Sequence, residues 1–159
     1  MKVELTSKPS SASHVTIAQL MHPEHANNSG NVHGGWIMKL VDEVGALACM
    51  RHSKHRVVTV AIDQMTFRQP IRIGDLVTLD AEVTFTGHTS MEVEVLVTAE
   101  NPISGEFTHT NKAYLVYVAL DDYGKPVTVP PLLIESPDQE KRMAEAIKRQ
   151  EHRLSNKIE

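Results

Sequence analysis

Cysteine occurs once in this chain, as Cys49, so no disulfide can close within it. That usage suits a reducing compartment. Aromatic residues are scarce at 4%, and a core must therefore be assembled from Val, Leu, Ile, Ala and Met. There is no block of basic residues and the formal net charge is −4, which argues against a nucleic-acid surface. No apolar run is long enough for a signal peptide or a membrane span, and residues 1–13 are polar. HExxH and paired cysteines are both missing. The nine histidines are therefore read as solvent and loop residues, and no metal is expected. A cytoplasmic enzyme or binding protein remains, and 159 residues suit one domain with a sizeable core.

The patterning that is present divides the chain clearly. Residues 14–21 (HVTIAQLM) read as a short strand, and 22–35, rich in Asn, Gly, Ser and His, as a loop. From Gly34 to about His52 the apolar residues Ile37, Val41, Val44 and Ala48 recur at helical spacing, with Leu40 and Leu47 beside them. Apolar side chains cover most of that circumference, so the helix is expected to be deeply embedded, with Lys39 and Glu43 pairing on its wetter face. Residues 57–67 are β-rich. Val77, Leu79, Ala81, Val83 and Phe85 alternate with polar residues, and after a turn at 87–90 Met91, Val93, Val95 and Val97 continue the alternation. That spacing predicts an antiparallel hairpin. A second turn falls at 101–105, and the nearly all-apolar stretch 113–120 reads as a central strand. In the tail, Ser136, Pro137 and Gln139 form a helix start, Asp138 and Arg142 an i,i+4 pair, and Met143, Ile147 and Leu154 a thin apolar stripe. Such a helix suits the surface or a neighbouring subunit. One buried helix wrapped by one curved antiparallel sheet satisfies both periodicities, which is an α+β arrangement.

Within that helix, Asp42 lies on a row of Gly35, Met38, Gly45 and Cys49. A carboxylate among apolar and small residues costs free energy unless it is paired, hydrogen-bonded or open to a polar cavity. Gly45 costs roughly 1 kcal/mol against alanine in mid-helix, which fits close passage of another backbone or a slim ligand. The structural alternative is a solvated stripe with a glycine that permits tight packing. Gly34 and Gly35 open the helix with free N–H groups that can approach a carbonyl oxygen, and the helix end adds positive potential. Asp42 stands about 11 Å further along the axis, so one straight helix does not bring it to that oxygen. Either a ligand spans the gap or a second subunit completes the site. Asn27, in the loop ahead, can hold a water or orient a carbonyl; Asn and Gly also serve turn geometry there.

Read as one string, ANNSGNVHGGWIMKLVDEVGA (residues 26–46) resembles the signature of hotdog-fold acyl-CoA thioesterases. It is most similar to the group of medium- and long-chain acyl-CoA hydrolases that spans bacterial broad-range and animal brain-type, double-hotdog enzymes. The resemblance continues through RHSKHRVVTVAIDQMTF (51–67), the turn of Arg72, Ile73, Gly74 and Asp75, FTGHTSMEVEVLV (85–97) and YVALDDYGKP (117–126), covering residues 15–131. It implies a hotdog domain over 14–131, leaving 1–13 as a flexible N-terminal arm and 132–159 as a C-terminal helical extension. Two hotdogs then pair edge to edge, with active sites at their interface. The family's loop Asn and helix Asp, which work together from opposite hotdogs, match Asn27 and Asp42.

On that resemblance Asp42 is the general base toward water or the nucleophile, Asn27 positions water or substrate, and the Gly34 and Gly35 N–H groups polarise the thioester carbonyl. His33 is assigned to holding the loop. The pantetheine arm would run beside Val58 and Thr59, with Arg56, Lys54, Thr89 and Ser90 as candidates for the CoA phosphates and Met38 and Met65 for the acyl tunnel. CoA belongs to substrate and product, so no cofactor is implied. The implied assembly is a homo-oligomer with the dimer as minimal active unit and a hexamer, a trimer of dimers, as the common form. Two rivals on the same fold are an acyl-thioester hydratase or dehydratase, for which His33 lacks the expected context, and a non-catalytic acyl-CoA sensor. A metal site drawn from His22, His25 and His33, or from His52 and His55, is the third.

Overall fold

The alternating stretches become a five-stranded antiparallel sheet curled around the predicted helix. The computed structural model describes residues 4–63 and 65–157. Residues 1–3 of the expected arm, Gln64 of the expected strand and residues 158–159 of the tail lie outside these. The strands are β1 (Lys8–Pro9), β2 (Val15–Leu20), β3 (Arg56–Ile62), β4 (Leu76–Thr86), β5 (Ser90–Glu100), β6 (Phe107–Leu120) and β7 (Leu132–Leu133). The helices are α1 (Gly34–Ser53) and α2 (Pro137–Ser155). The main sheet runs β2-β4-β5-β6-β3, and β1 pairs with β7 in parallel. This is the α+β hotdog arrangement.

Period two places Val77, Leu79, Ala81 and Val83 of β4, Met91, Val93, Val95 and Val97 of β5, and Leu115 and Tyr117 of β6 on the concave face, all buried. Against them α1 buries Ile37, Leu40, Val41, Val44, Ala48 and Cys49. Each large apolar side chain removed from water contributes roughly 1.5–3 kcal/mol, which outweighs the weak helix propensity of a segment rich in Val and Gly. The predicted hairpin forms, with Leu79 opposite Val97 and Ala81 opposite Val95. The helix ends where Lys54 turns left-handed at φ 61°. Lys39 and Glu43 pair at 2.7 Å on its outer side as expected.

Three stretches depart from the sequence expectation. β3 stops at Ile62 rather than running to 67, and it is an edge strand in which Val58, Val60 and Ile62 are exposed. Residues 8–13, expected as part of a loose arm, are built onto the body. Lys8 N–H donates to Pro131 O at 2.9 Å, Ser10 and Ser13 are buried, and the Lys8 ammonium donates to His52 O at 2.8 Å. In α2, Arg142 does not pair with Asp138 but donates to Glu82 and Glu94, each at 2.9 Å. The cap is also shifted: Ser136 Oγ accepts from Gln139 N–H, while Gln139 Oε1 accepts from Glu135 N–H rather than closing on Ser136.

The convex face explains where α2 sits. Glu82, Glu92 and Glu94 point outward from β4 and β5, and α2 lays three arginines over them. Arg149 and Arg153 bind the two oxygens of Glu92 at 2.7 and 2.6 Å, and Arg153 also binds Asp63 at 2.8 Å. Arg149 stacks over the Tyr114 ring at 3.6 Å. The helix therefore docks on its own sheet mainly through charge, with Ala146 at the buried centre.

One buried group makes the end of α1 sensitive to pH. His52 is fully buried, with Nε2 2.8 Å from Pro130 O and Nδ1 without a hydrogen-bond partner among the described residues. A carbonyl accepts only, so Nε2 carries the proton and a second proton on Nδ1 would meet no acceptor. Burial pushes the imidazole pKa below its ordinary 6.5. In the unfolded chain His52 protonates near that ordinary value, so below it the unfolded state binds more protons and stability falls as pH falls. Urea unfolding at about pH 7.5 and about pH 5.5 should show wild type losing more stability than His52→Gln, by up to about 1.4 kcal/mol per pH unit. Equal losses would remove His52 from the account.

Candidate active site

Asp42 lies where α1 crosses β3 and β6. Register makes Thr59 of β3 the direct partner of Tyr117 of β6, and both side chains face the helix. Thr59 Oγ1 donates to Asp42 Oδ1 at 2.7 Å. The Tyr117 hydroxyl lies 2.8 Å from the Asp42 main-chain O and 3.1 Å from Oδ1. Burial, reinforced by the negative charge of Asp42, pushes the Tyr117 hydroxyl far above the ordinary phenol range, so it stays protonated and donates. The single Tyr117 proton is shared between the Asp42 main-chain O and Oδ1, so Oδ1 accepts from Thr59 and in part from Tyr117, while Oδ2 accepts no hydrogen bond among the described residues and the side chain is only half-buried. One oxygen anchors the carboxylate to the sheet and the other does not.

Gly45 has a specific reason. A Cβ there would lie 2.6 Å from the Tyr117 hydroxyl and 3.0 Å from Val93 Cγ1. The close neighbour of this glycine is a side chain of the protein's own sheet, not the backbone or slim ligand that the sequence suggested. Tyr117 is the residue sequence reasoning missed, because it sits in a stretch read only as an apolar central strand. The traceable signal was a mid-helix glycine together with two tyrosines, Tyr114 and Tyr117, in an otherwise apolar stretch.

The loop before α1 is held separately. Asn27 Oδ1 accepts from Ser29 N–H at 2.9 Å and Asn31 N–H at 3.3 Å, an Asx turn closed with Gly30 at φ 81°. With Oδ1 so used, the donor end of the amide faces away from the turn. Asn31 bridges to Arg72, and Val32 N–H donates to Ile71 O, which pins the loop. His25 stacks on Trp36 with centroids 4.2 Å apart, and His33 caps the helix, its Nδ1 accepting from Gly35 N–H at 3.0 Å. Trp36 and Ile37 donate to His33 O. Of the two N–H groups expected to meet a carbonyl, Gly35's is therefore occupied. Gly34 N–H has no partner among the described residues, and the Phe67 ring stands beside it. Asn27 and Asp42 belong to separate hydrogen-bond systems within the chain.

The other residues expected to meet CoA gather at one end of the sheet. Ser90 pairs with Val118 and Val118 with Val58, so the β4–β5 turn and the start of β3 share that end, two strand spacings or roughly 10 Å apart. Lys54 and Arg56 lie there too and are exposed; Thr89 and Ser90 are half-buried. Thr59 is not a mere groove wall: its hydroxyl is engaged by Asp42. Met38, one turn before Asp42, is exposed, and Met65 is half-buried against the core. No cluster of three His, Cys, Asp or Glu suited to a metal occurs among the described residues.

A curled antiparallel sheet on a central helix defines the hotdog class of proteins, and comparison with known proteins narrows it. Residues 29–106 match the Thioesterase superfamily. The chain is 39% identical over 137 residues to the cytosolic acyl coenzyme A thioester hydrolase of Rattus norvegicus, covering 85% of this chain and 36% of that protein. It thus spans about a third of the length of this relative. A crystal structure of an apo-hexameric acyl-CoA thioesterase aligns with a TM-score of 0.92 at 34% identity, over 97% of this chain and 99% of that one. The acyl-CoA hydrolase of Staphylococcus aureus, solved in complex with butyryl coenzyme A and coenzyme A, aligns with a TM-score of 0.87 at 32% identity, over 96% and 93%. The chain belongs to the acyl-CoA thioesterase family of hotdog proteins.

Proposed function

We propose that this protein hydrolyses medium- to long-chain fatty acyl-CoA to free fatty acid and CoA in the cytoplasm. The observation that carries the reading is the asymmetry of Asp42, with Oδ1 anchored by Thr59 and Tyr117 and Oδ2 open. Such a carboxylate is oriented to take a proton from water or to attack a thioester carbonyl itself. Hydrolysis adds the elements of water across the C–S bond: the acyl carbon gains oxygen and the CoA sulfur leaves as thiolate, to be protonated.

The turn that occupies Asn27 Oδ1 leaves its amide N–H groups as donors, which suits them to the developing oxyanion more than to accepting from water. Gly34 N–H, at the positive end of α1, is the second donor in this reading. Because Asn27 and Asp42 sit on separate supports, each active centre takes Asp42 from one hotdog and Asn27 from another. The exposed β3 edge is the element on which two chains pair, with a hexamer as the larger assembly. Lys54 and Arg56, with Thr89 and Ser90, hold the CoA phosphates, and Val58 flanks the pantetheine arm.

The direct test is release of free thiol from acyl-CoA of increasing chain length by the purified protein. Turnover that rises from short to medium and long chains is expected. Tight acyl-CoA binding without thiol release would mark a sensor, and formation of enoyl-CoA a hydratase or dehydratase.

A further inference from the structure

The proposed reaction leaves one polar group in the site without a task. Tyr117 is wholly buried, and phenylalanine would fill the same core volume without carrying a hydroxyl to be satisfied. That hydroxyl touches both the main-chain oxygen and Oδ1 of a single residue, Asp42. The helix has also given up a Cβ for it, since an alanine at Gly45 would press on the hydroxyl oxygen at 2.6 Å and on ring carbon Cε2 at 3.2 Å. A mid-helix glycine weakens the helix, and of the groups that the missing Cβ clears, which include Val93 Cγ1 at 3.0 Å, the hydroxyl oxygen is the nearest.

We infer that Tyr117 is a positioning residue that aims Asp42, gripping its backbone and its Oδ1 together so that Oδ2 faces the substrate. The inference rests on Asp42 being the acting carboxylate. Thr59 alone fixes one oxygen at one point, about which the carboxylate can still swing. A second donor from the neighbouring strand, tied also to the backbone of the same residue, removes that freedom. Losing it should slow turnover more than binding, because Tyr117 lies beneath Asp42 and meets no substrate.

Tyr117→Phe removes one oxygen and keeps the volume. Its expected result is a kcat about tenfold lower, a KM within about twofold, and a melting temperature lowered by only a few degrees. The acid limb of the kcat–pH profile should move upward, because a donor to the ionised carboxylate is lost. Gly45→Ala should lower both stability and kcat by displacing the ring. The double variant Gly45→Ala/Tyr117→Phe, with the clashing oxygen gone, should regain part of that stability but not kcat. Wild-type kcat and an unmoved acid limb in Tyr117→Phe, beside an inactive Asp42→Ala, would overturn the inference alone. A kcat loss that only follows a loss of folded protein, with the acid limb unmoved, overturns it as well. Full activity in Asp42→Ala overturns the functional reading and this inference with it.

Discussion

Mixing Asn27→Ala chains with Asp42→Ala chains should restore about a quarter of wild-type thiol release, although each variant alone is about 10²-fold or more below wild type. The recovery follows from where the two side chains are held. Asn27 is fixed by its own turn, in a loop that Asn31 bridges to Arg72, whereas Asp42 is fixed by β3 and β6. If each centre draws one residue from each chain, a mixed dimer has one centre lacking both groups and one lacking neither. Random pairing makes roughly half the dimers mixed, each with one intact centre of two, which gives the quarter. Unfolding and refolding the two variants together, followed by the thiol assay, measures it. Activity no higher than the sum of the parents would mean that each chain works alone.

The Arg149→Met/Arg153→Met double variant should lose about 3–5 kcal/mol of stability. The reason is Glu92, whose side chain is 1% exposed and whose two oxygens are bound by those two arginines. Without them Thr84 is the hydrogen-bond donor that remains to its side chain among the described residues, and the carboxylate is left charged in a poorly solvated place. Adding Glu92→Met should return most of the loss, because removing a whole buried ion cluster costs far less than breaking it. Urea unfolding at one fixed protein concentration, so that any assembly contributes equally, makes the comparison. A double variant within about 0.5 kcal/mol of wild type would show that α2 docks by packing at Ala146 and not by charge.

The sequence by itself determined the wrap. Period two in residues 77–97 and helical spacing in 37–48 are local properties, enforced by burial on one face, and they survive any choice of partner. The segment of the candidate site was legible as well, since a carboxylate on an apolar helix row is anomalous wherever that helix packs. The tertiary structure alone decided which groups meet. Thr59 and Tyr117 stand 17 and 75 residues from Asp42 in sequence, and only the β3–β6 register places them side by side beneath it. Arg142 of α2 binds glutamates on β4 and β5 and not the nearby Asp138, because long, flexible cations follow the field of a folded surface rather than local spacing. The same holds at Gly35, whose N–H was free to bind a carbonyl in the sequence pattern and is taken by His33 in the fold. Apolar periodicity is written along the chain; hydrogen-bond partners across strands are fixed only once the sheet has closed on its helix.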